Sequence, residues 1–482
     1  MATPTYVLTL PLKTELGQEH KLNKRLEIAR GIYNACLGEA LKRIRYMKRD
    51  PAYRKTVKMP KGIERNQGFR SLKKQYGVEK YALNGYVQEM GHLFKQNIGS
   101  QMAQNLAERA FAAAEKVLYG KSRQAHFVPS GHFFSVEEKT NQTGLRYFSD
   151  TRTVKWLGLV MPVKLKTTDE YAHTALLDRV KYCRLMKKQI RGKDRFFIQL
   201  VLEGIPPKKR THNHSTDETA RVGLDIGTAT LAVVSDTKVQ LVELAEGIEG
   251  EEKKKRRIQR RLDRQRRANN PNKFNEDGTI KKGNKDKWVI SKNYQKTRRE
   301  LTEIQRKIAD KRKQSHNRLA NAILSLGLDV RVEQMNWSGL QKRAKETTLN
   351  KKTGKFNCKK RFGKSLAARA PALFLKIVDR KLSYLDLSLK KIDTAKVKAS
   401  QFEHINQTYT KKNLSQRWNS FEEGQIQRDL YSAFLILNTT EDLKSIDMER
   451  VNQTWKNFHR LHDAEINRLK GLNKKQLSSI GL

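Results

Sequence analysis

The spacing of apolar and polar residues changes along the chain, and each change marks an element. Thr5 to Leu12 alternates and predicts a strand. Leu22, Leu26, Ala29, Tyr33, Cys36, Ala40 and Ile44 then recur at steps of three and four, one stripe of a long helix that Asp50-Pro51 ends. Helical spacing returns over Tyr86 to Leu118, where Gly91, Ala107 and Ala112 to Ala114 permit close packing. Residues 13–126 therefore read as a helical lobe. From about Phe127 to Ile205 the period becomes two. His132 to Val136, Leu159 to Leu165 and Phe196 to Leu202 are short strands between polar turns, and they predict a small β-barrel over 1–12 and 127–206. Residues 207–220 are polar and unpatterned, which reads as a linker.

Arg221 to Val234 predicts a strand, a tight turn at Thr228 to Thr230, and a returning strand. Alternation puts Val222, Leu224 and Ile226 on one face, and Gly223, Asp225 and Gly227 on the other. A phosphate or hydrated cation can approach an aspartate flanked by residues without side chains. The next stretch is helical: Lys253 to Arg267 (KKKRRIQRRLDRQRR) holds ten basic residues in fifteen, with Ile258 and Leu262 as a thin apolar seam. After a Gly/Asn/Lys loop from Asn269 to Trp288, Leu301, Ile304, Ile308, Leu319, Ile323 and Leu326 form the stripe of a second helix. Residues 249–326 thus predict a helical hairpin. Gly327 to Asn336 is a further strand carrying Glu333, and Gln427 to Leu437 is a helix with Asp429 in its first turn. Taken singly, a Glu at a strand end is usually solvated and an Asp at a helix N-terminus is usually a cap.

Charge narrows the partners. The 482 residues carry 99 Lys and Arg against 50 Asp and Glu, a net charge of +49. A polyanion is the natural partner, and the helical lobe reads as a clamp for a duplex between basic faces. No apolar run approaches the roughly 18 residues of a membrane helix, so membrane is not expected as a partner. Met1 to Pro4 has no leader-like pattern. Cys36, Cys183 and Cys358 lie far apart, which fits a reducing cytosol rather than a disulfide framework. In the basic run, Arg256, Arg257, Arg260, Arg261 and Arg264 are candidate contacts to a nucleic-acid backbone. Arg428 is a candidate contact to the scissile strand or the partner of a local acid.

Asp225, Glu333 and Asp429 form an ordered set: an Asp on a first strand, a Glu on a later strand beyond a helical insert, an Asp opening a late helix. With GLDIG around Asp225, VEQMN around Glu333 and RDLYSA around Asp429, the chain resembles the split RuvC (RNase H-like) nuclease of the TnpB family of transposon-encoded RNA-guided nucleases and the related miniature type V CRISPR effectors. The resemblance implies an α/β multidomain fold: a helical recognition lobe, a β-barrel wedge, and a RuvC domain over 221–398 and 425–482. It implies a guide RNA that pairs with double-stranded target DNA bearing a short adjacent motif, in a prokaryotic cytosol near the nucleoid. A heteroduplex of roughly 20 base pairs would lie in a basic channel read by shape. Catalysis would use two Mg²⁺ ions, with Mn²⁺ as a substitute, about 4 Å apart. In the family's pattern Asp225 bridges both ions while Glu333 and Asp429 complete one ligand set each.

One departure stands out. The family commonly carries a four-cysteine zinc knuckle between the last two acids, and here that interval holds only Cys358. No zinc is expected. Residues 399–424 read as a target-nucleic-acid-binding segment held by packing of Phe402, Tyr409 and Trp418. His404, His459 and His462 read as packing or surface residues. Three rival readings stay open. A DNA-strand transferase shares the acidic triad. A non-cleaving RNA-guided repressor shares the architecture. An actin-like ATPase shares LDIGT but needs a second Gly-rich phosphate loop, and none follows.

Overall fold

The computed structural model describes residues 3–208, 214–350, 354, 357, 362–413, 416–472 and 480–481. The chain forms two compact units, Met1–Lys208 and Lys209–Leu482.

The first unit opens with β1 (Thr5–Pro11), whose Tyr6, Leu8 and Leu10 point inward. Then α1 (Leu16–Arg49) runs for 34 residues and buries Leu22, Leu26, Ala29, Cys36, Ala40 and Ile44 along one side. It stops where expected. Pro51 cannot continue the hydrogen-bond ladder, and the Asp50 carboxylate accepts from Ala52 N at 2.7 Å to cap α2 (Pro51–Lys58). After α3 (Ile63–Gln75), the Tyr86 to Leu118 stretch is two helices rather than one: α4 (Asn84–Leu93) and α5 (Ser100–Leu118). Ile98 turns inward and is fully buried, and the extended backbone of Gly99 restarts the helix. Alanines on both partners let α5 lie along α1.

The predicted barrel is corrected to two sheets. After β2 (Ser135–Glu137) come β3 (Arg146–Phe148), β4 (Thr153–Trp156), β5 (Leu159–Pro162), α6 (Glu170–Ala175), β6 (Val180–Ile190) and β7 (Lys193–Glu203). One antiparallel sheet runs β1-β7-β6-β2 and the other β3-β4-β5; among the described residues no ladder closes either into a barrel. The two meet at the Leu12–Val163 bridge. The His132 to Val136 strand begins only at Ser135, and β6 was not expected at all.

The second unit is built on a mixed sheet. Its first strands, β8 (Arg221–Ile226), β9 (Thr230–Ser235) and β10 (Val239–Glu243), form an antiparallel meander. Two long helices follow, α7 (Glu249–Ala268) and α8 (Lys292–Leu324), packed on each other as the predicted hairpin. Next come β11 (Asp329–Glu333), α9 (Trp337–Leu340), α10 (Gly363–Arg369), α11 (Pro371–Ser383), β12 (Lys390–Ile392) and α12 (Thr394–Val397). Two small hairpins, β13 (Phe402–Glu403) with β14 (Thr408–Tyr409) and β15 (Trp418–Phe421) with β16 (Gly424–Gln427), precede α13 (Arg428–Leu437) and α14 (Met448–Lys470). The sheet order is β10-β9-β8-β11-β12, with β8, β11 and β12 parallel.

Both faces of this sheet are covered. Val222, Leu224 and Ile226 join Val330 and Val332 against Ile323 and Leu324 of α8 and Phe374 and Val378 of α11. The opposite face packs Ala232, Val234 and Leu241 against Leu430, Ala433, Phe434 and Leu437 of α13 and Val451 and Phe458 of α14. Phe434 and Phe458 stack at 4.3 Å between centroids. The alternation read from β8 is the one found. Among the described residues no helix is long and apolar enough to cross a membrane.

Candidate active site

The site is set by how close α13 comes to β8. Gly223 has no side chain, and the Ala433 carbonyl oxygen sits 2.1 Å from where a Cβ would be. Leu437 N, the hydrogen-bond partner of that oxygen in a regular helix, sits 2.6 Å from the same point. Four residues back from Ala433, about 6 Å along the helix, is Asp429. Two residues further along β8, about 6.6 Å, is Asp225. The glycine thus lets the two acids approach from separate elements.

Glu333 arrives by register. The parallel pairing of β11 with β8 sets Val332 beside Leu224, so Glu333 follows beside Asp225. On its other side Glu333 pairs with Ile392 of β12. All of this lies at the carboxyl ends of parallel strands, where open α/β sheets commonly place ligands.

The charges interact. Burial first, then the negative charges of Asp429 and Glu333, push the Asp225 carboxyl well above the ordinary aspartate range, and Arg428 pulls it partly back. Burial also raises Glu333. Asp429 has two arginines beside it: Arg428 Nη2 lies 3.3 Å from Oδ1, and Arg417 Nη1 lies 3.8 Å from Oδ2. Among the described residues no group of three His, Cys, Asp or Glu side chains is arranged so that it could hold a metal ion. Asp225 feels the charge of Asp429 and of Glu333, but the three do not form a closed cage. Their oxygens are the donor type a hard divalent cation takes, and such an ion would relieve the like-charge repulsion on Asp225, but the side chains as placed do not enclose a site for it.

Both ends of α13 are pinned by residues outside the acidic set, one of them His462, which the sequence marked only as a packing or surface residue. At the N-terminus Gln427 N donates to His462 Nε2 at 3.0 Å, and Gln427 Oε1 accepts from Leu430 N at 2.8 Å. At the C-terminus the fully buried Arg331 donates to Glu441 at 2.9 Å and Asp329 at 2.7 Å, and to the Thr439 carbonyl. Chiefly through its hydrogen bond to Arg331, Glu441 is held at a pKa of about 2. A basic residue on the first-acid face of a strand was the available signal for Arg331; His462, 35 positions from Gln427, gave none.

The basic run is helix α7, and Arg256, Arg257, Arg260 and Arg264 are exposed along it. Arg261 differs: it is half-buried and paired with Glu300 of α8. Arg428 pairs locally, with Asp429 and with the Asn413 carbonyl at 3.2 Å.

In the knuckle position Phe402 packs on Tyr409 at 4.9 Å, and Trp418 Nε1 donates to the Gly481 carbonyl at 3.1 Å. His404 is buried, exchanges hydrogen bonds with the Tyr431 hydroxyl at 2.8 and 3.0 Å, and contacts Phe421 and Trp455. His462 is buried and His459 lies 3.4 Å from Asp463. Cys358 and Ser415 lie outside the described residues.

No protein-family model matches this chain, and no curated protein does. Among solved structures the chain is similar to a cryo-electron-microscopy structure of a Cas12f1–sgRNA–target DNA complex. The identity is 12%, with 89% of this chain and 98% of that one covered and a TM-score of 0.42. A CRISPR-Cas12f ternary complex is similar at 12% identity, covering 89% of this chain and 83% of that one, with a TM-score of 0.28.

Proposed function

We propose that this chain is an RNA-guided DNA endonuclease of the TnpB and miniature type V kind. A guide RNA would pair with double-stranded target DNA beside a short adjacent motif, and one RuvC-type centre would hydrolyse DNA phosphodiesters. The observation that carries this reading is Asp225, whose carboxyl senses both Asp429 and Glu333 at the carboxyl ends of parallel strands. The net charge of +49 supports a nucleic-acid partner.

Asp225, Glu333 and Asp429 would hold two Mg²⁺ ions, or Mn²⁺ in their place. Such ions stabilise charge on the attacking and leaving oxygens of a phosphodiester. The chain's own part is to fix the donors. Gly223 seats α13, the Gln427–His462 contact sets its first turn, and Arg331 holds its far end. Arg417 and Arg428 flank Asp429 and would be available to a scissile phosphate bound there.

A second reading, a non-cleaving RNA-guided binder, is favoured by Asp429 already lying within ion-pair distance of two arginines, which would compete with a metal ion for it. One experiment separates them. The RNA that co-purifies with the chain is sequenced, and DNA matching it is supplied with Mg²⁺. Cutting that vanishes in Asp225→Ala while DNA binding persists supports the nuclease. Binding without cutting in the wild type supports the repressor, and absence of a discrete RNA removes both.

A further inference from the structure

Between α7 and α8 runs a polar, hydrogen-bonded connection that carries three consecutive apolar residues at its surface. Asn270 organises it: Nδ2 donates to the Val289 and Arg266 carbonyls at 3.0 and 2.9 Å, and Val289 N donates back to Oδ1 at 2.7 Å. Lys273 is only 4% exposed and donates to Asn284 Oδ1 at 3.2 Å. These bonds hold Trp288, Val289 and Ile290 at the surface, 39, 62 and 49% exposed. Trp288 is edge-on to Phe274 at 5.9 Å and is steadied by the Arg266 guanidinium and the Lys273 ammonium, 5.4 and 4.9 Å from its ring centre.

Single exposed apolar residues need no explanation, but three in a row on an ordered loop do. The surroundings identify what covers them. Lys281, Lys282, Lys285 and Lys287 are all exposed in the connection, against three exposed acids, of which only Asp286 lies among these lysines and Glu276 and Asp277 lie before them. A second copy of this strongly basic chain would be repelled. A partner must offer a flat apolar face ringed by negative charge. The end of a nucleic-acid duplex has that form: the last base pair exposes its π-face, and phosphates surround it. The loop also starts where α7 ends, so a duplex gripped along the exposed arginines of α7 would bring its end to this ridge.

We propose that Trp288, Val289 and Ile290 form a stacking platform for the terminal base pair of a nucleic-acid duplex, with the neighbouring lysines on its phosphates. The platform needs a nucleic-acid partner but neither a guide nor cleavage, so its failure and that of the nuclease reading are distinguishable.

The test uses the full-length protein and two forms of one DNA stem, one with open blunt ends and one closed at both ends by loops. The open stem carries 2-aminopurine at its last pair. The wild type should bind the open stem roughly tenfold more tightly, the size of one base–aromatic stack, and change the terminal 2-aminopurine emission. Val289→Ser/Ile290→Ser, both exposed and harmless to the fold, and Trp288→Ala should each reduce that preference while the salt dependence stays unchanged. Replacing the four lysines by alanine should weaken both stems and flatten the salt dependence. Equal wild-type affinity for the two stems overturns the platform. So does an unaltered preference in the Val289→Ser/Ile290→Ser protein, or ridge-dependent binding to anionic lipid vesicles in place of the open stem.

Discussion

The Ala433 carbonyl oxygen lies 2.1 Å from the point where a side chain on Gly223 would begin. That contact decides how near Asp429 comes to Asp225. Gly223→Ala should therefore push α13 off β8, at a cost of about 3 kcal/mol, the upper range for overpacking a close-packed core. The nearby Gly227 provides the control. A Cβ there meets Thr230 no closer than 3.4 Å, so Gly227→Ala should leave stability nearly unchanged. Chemical denaturation of the two variants checks this, and comparable losses for both would remove the special place given to Gly223.

Asp225 is held in the folded chain against burial and two like charges, so it opposes folding whenever it is ionised. Its raised pKa favours the folded state only at low pH, and that stability is lost as pH rises from the ordinary aspartate value of about 3.9 through the higher folded value. Asp225→Asn should then melt at a higher temperature than wild type at neutral pH, and its advantage should shrink toward pH 4. Cleavage should fall by on the order of a thousandfold or more. Mg²⁺ or Mn²⁺ should raise the wild-type melting temperature, by about 2.7 kcal/mol of stability at a hundred times the dissociation constant. The variant should respond far less. A melting temperature below wild type would contradict the electrostatic account.

How much of this was legible in the sequence depended on distance along the chain. The faces of β8 were readable because alternation is local: Val222, Leu224 and Ile226 turn one way, Gly223 and Asp225 the other. The α1 stripe was readable for the same reason. The wedge-like sheets were not. Their hairpins turn at Leu157-Gly158 and Arg191-Gly192, where both residues have positive φ. Such turns are usually announced by Asn or Asp before the Gly, and here a leucine and an arginine stand there. Lysines at 187 and 188 further disguised β6. Glu333 alone looked like a solvated strand end, and its neighbourhood with Asp225 exists only through the register of β11 on β8. The pairing of Gln427 with His462 has no local pattern behind it.

The first unit contains an acid that works against it at neutral pH. Glu138 is 2% exposed; Oε1 accepts only a long bond from Leu145 N at 3.4 Å, and Oε2 has no partner. Burial lifts its pKa from 4.5 to about 7. Because the folded value is the higher one, its contribution is fully present below pH 4.5 and is lost as pH rises through 7. The wild type should lose on the order of 3 kcal/mol across that interval from this group. Glu138→Gln keeps the shape, removes the charge, and should flatten the stability profile between pH 4.5 and 7. Parallel profiles for the two proteins would show that the carboxyl is relieved in some other way.

The arginines of α7 should not contribute equally to nucleic-acid binding. Arg256, Arg257, Arg260 and Arg264 are exposed, while Arg261 is drawn back to Glu300. An exposed arginine that meets a phosphate releases a counterion, and each such contact adds roughly 0.9 to the slope of log affinity against log salt. Replacing the four exposed residues by alanine should lower that slope by roughly three to four and weaken binding to unrelated duplexes alike. Arg261→Ala should lower it by much less, because its charge is already partly met on α8. It should instead loosen the helix pair by an amount typical of an exposed ion pair, less than about 1 kcal/mol. Titrations at several salt concentrations separate the two effects. A slope change for Arg261→Ala as large as for any exposed neighbour would place its guanidinium on the nucleic acid rather than on Glu300.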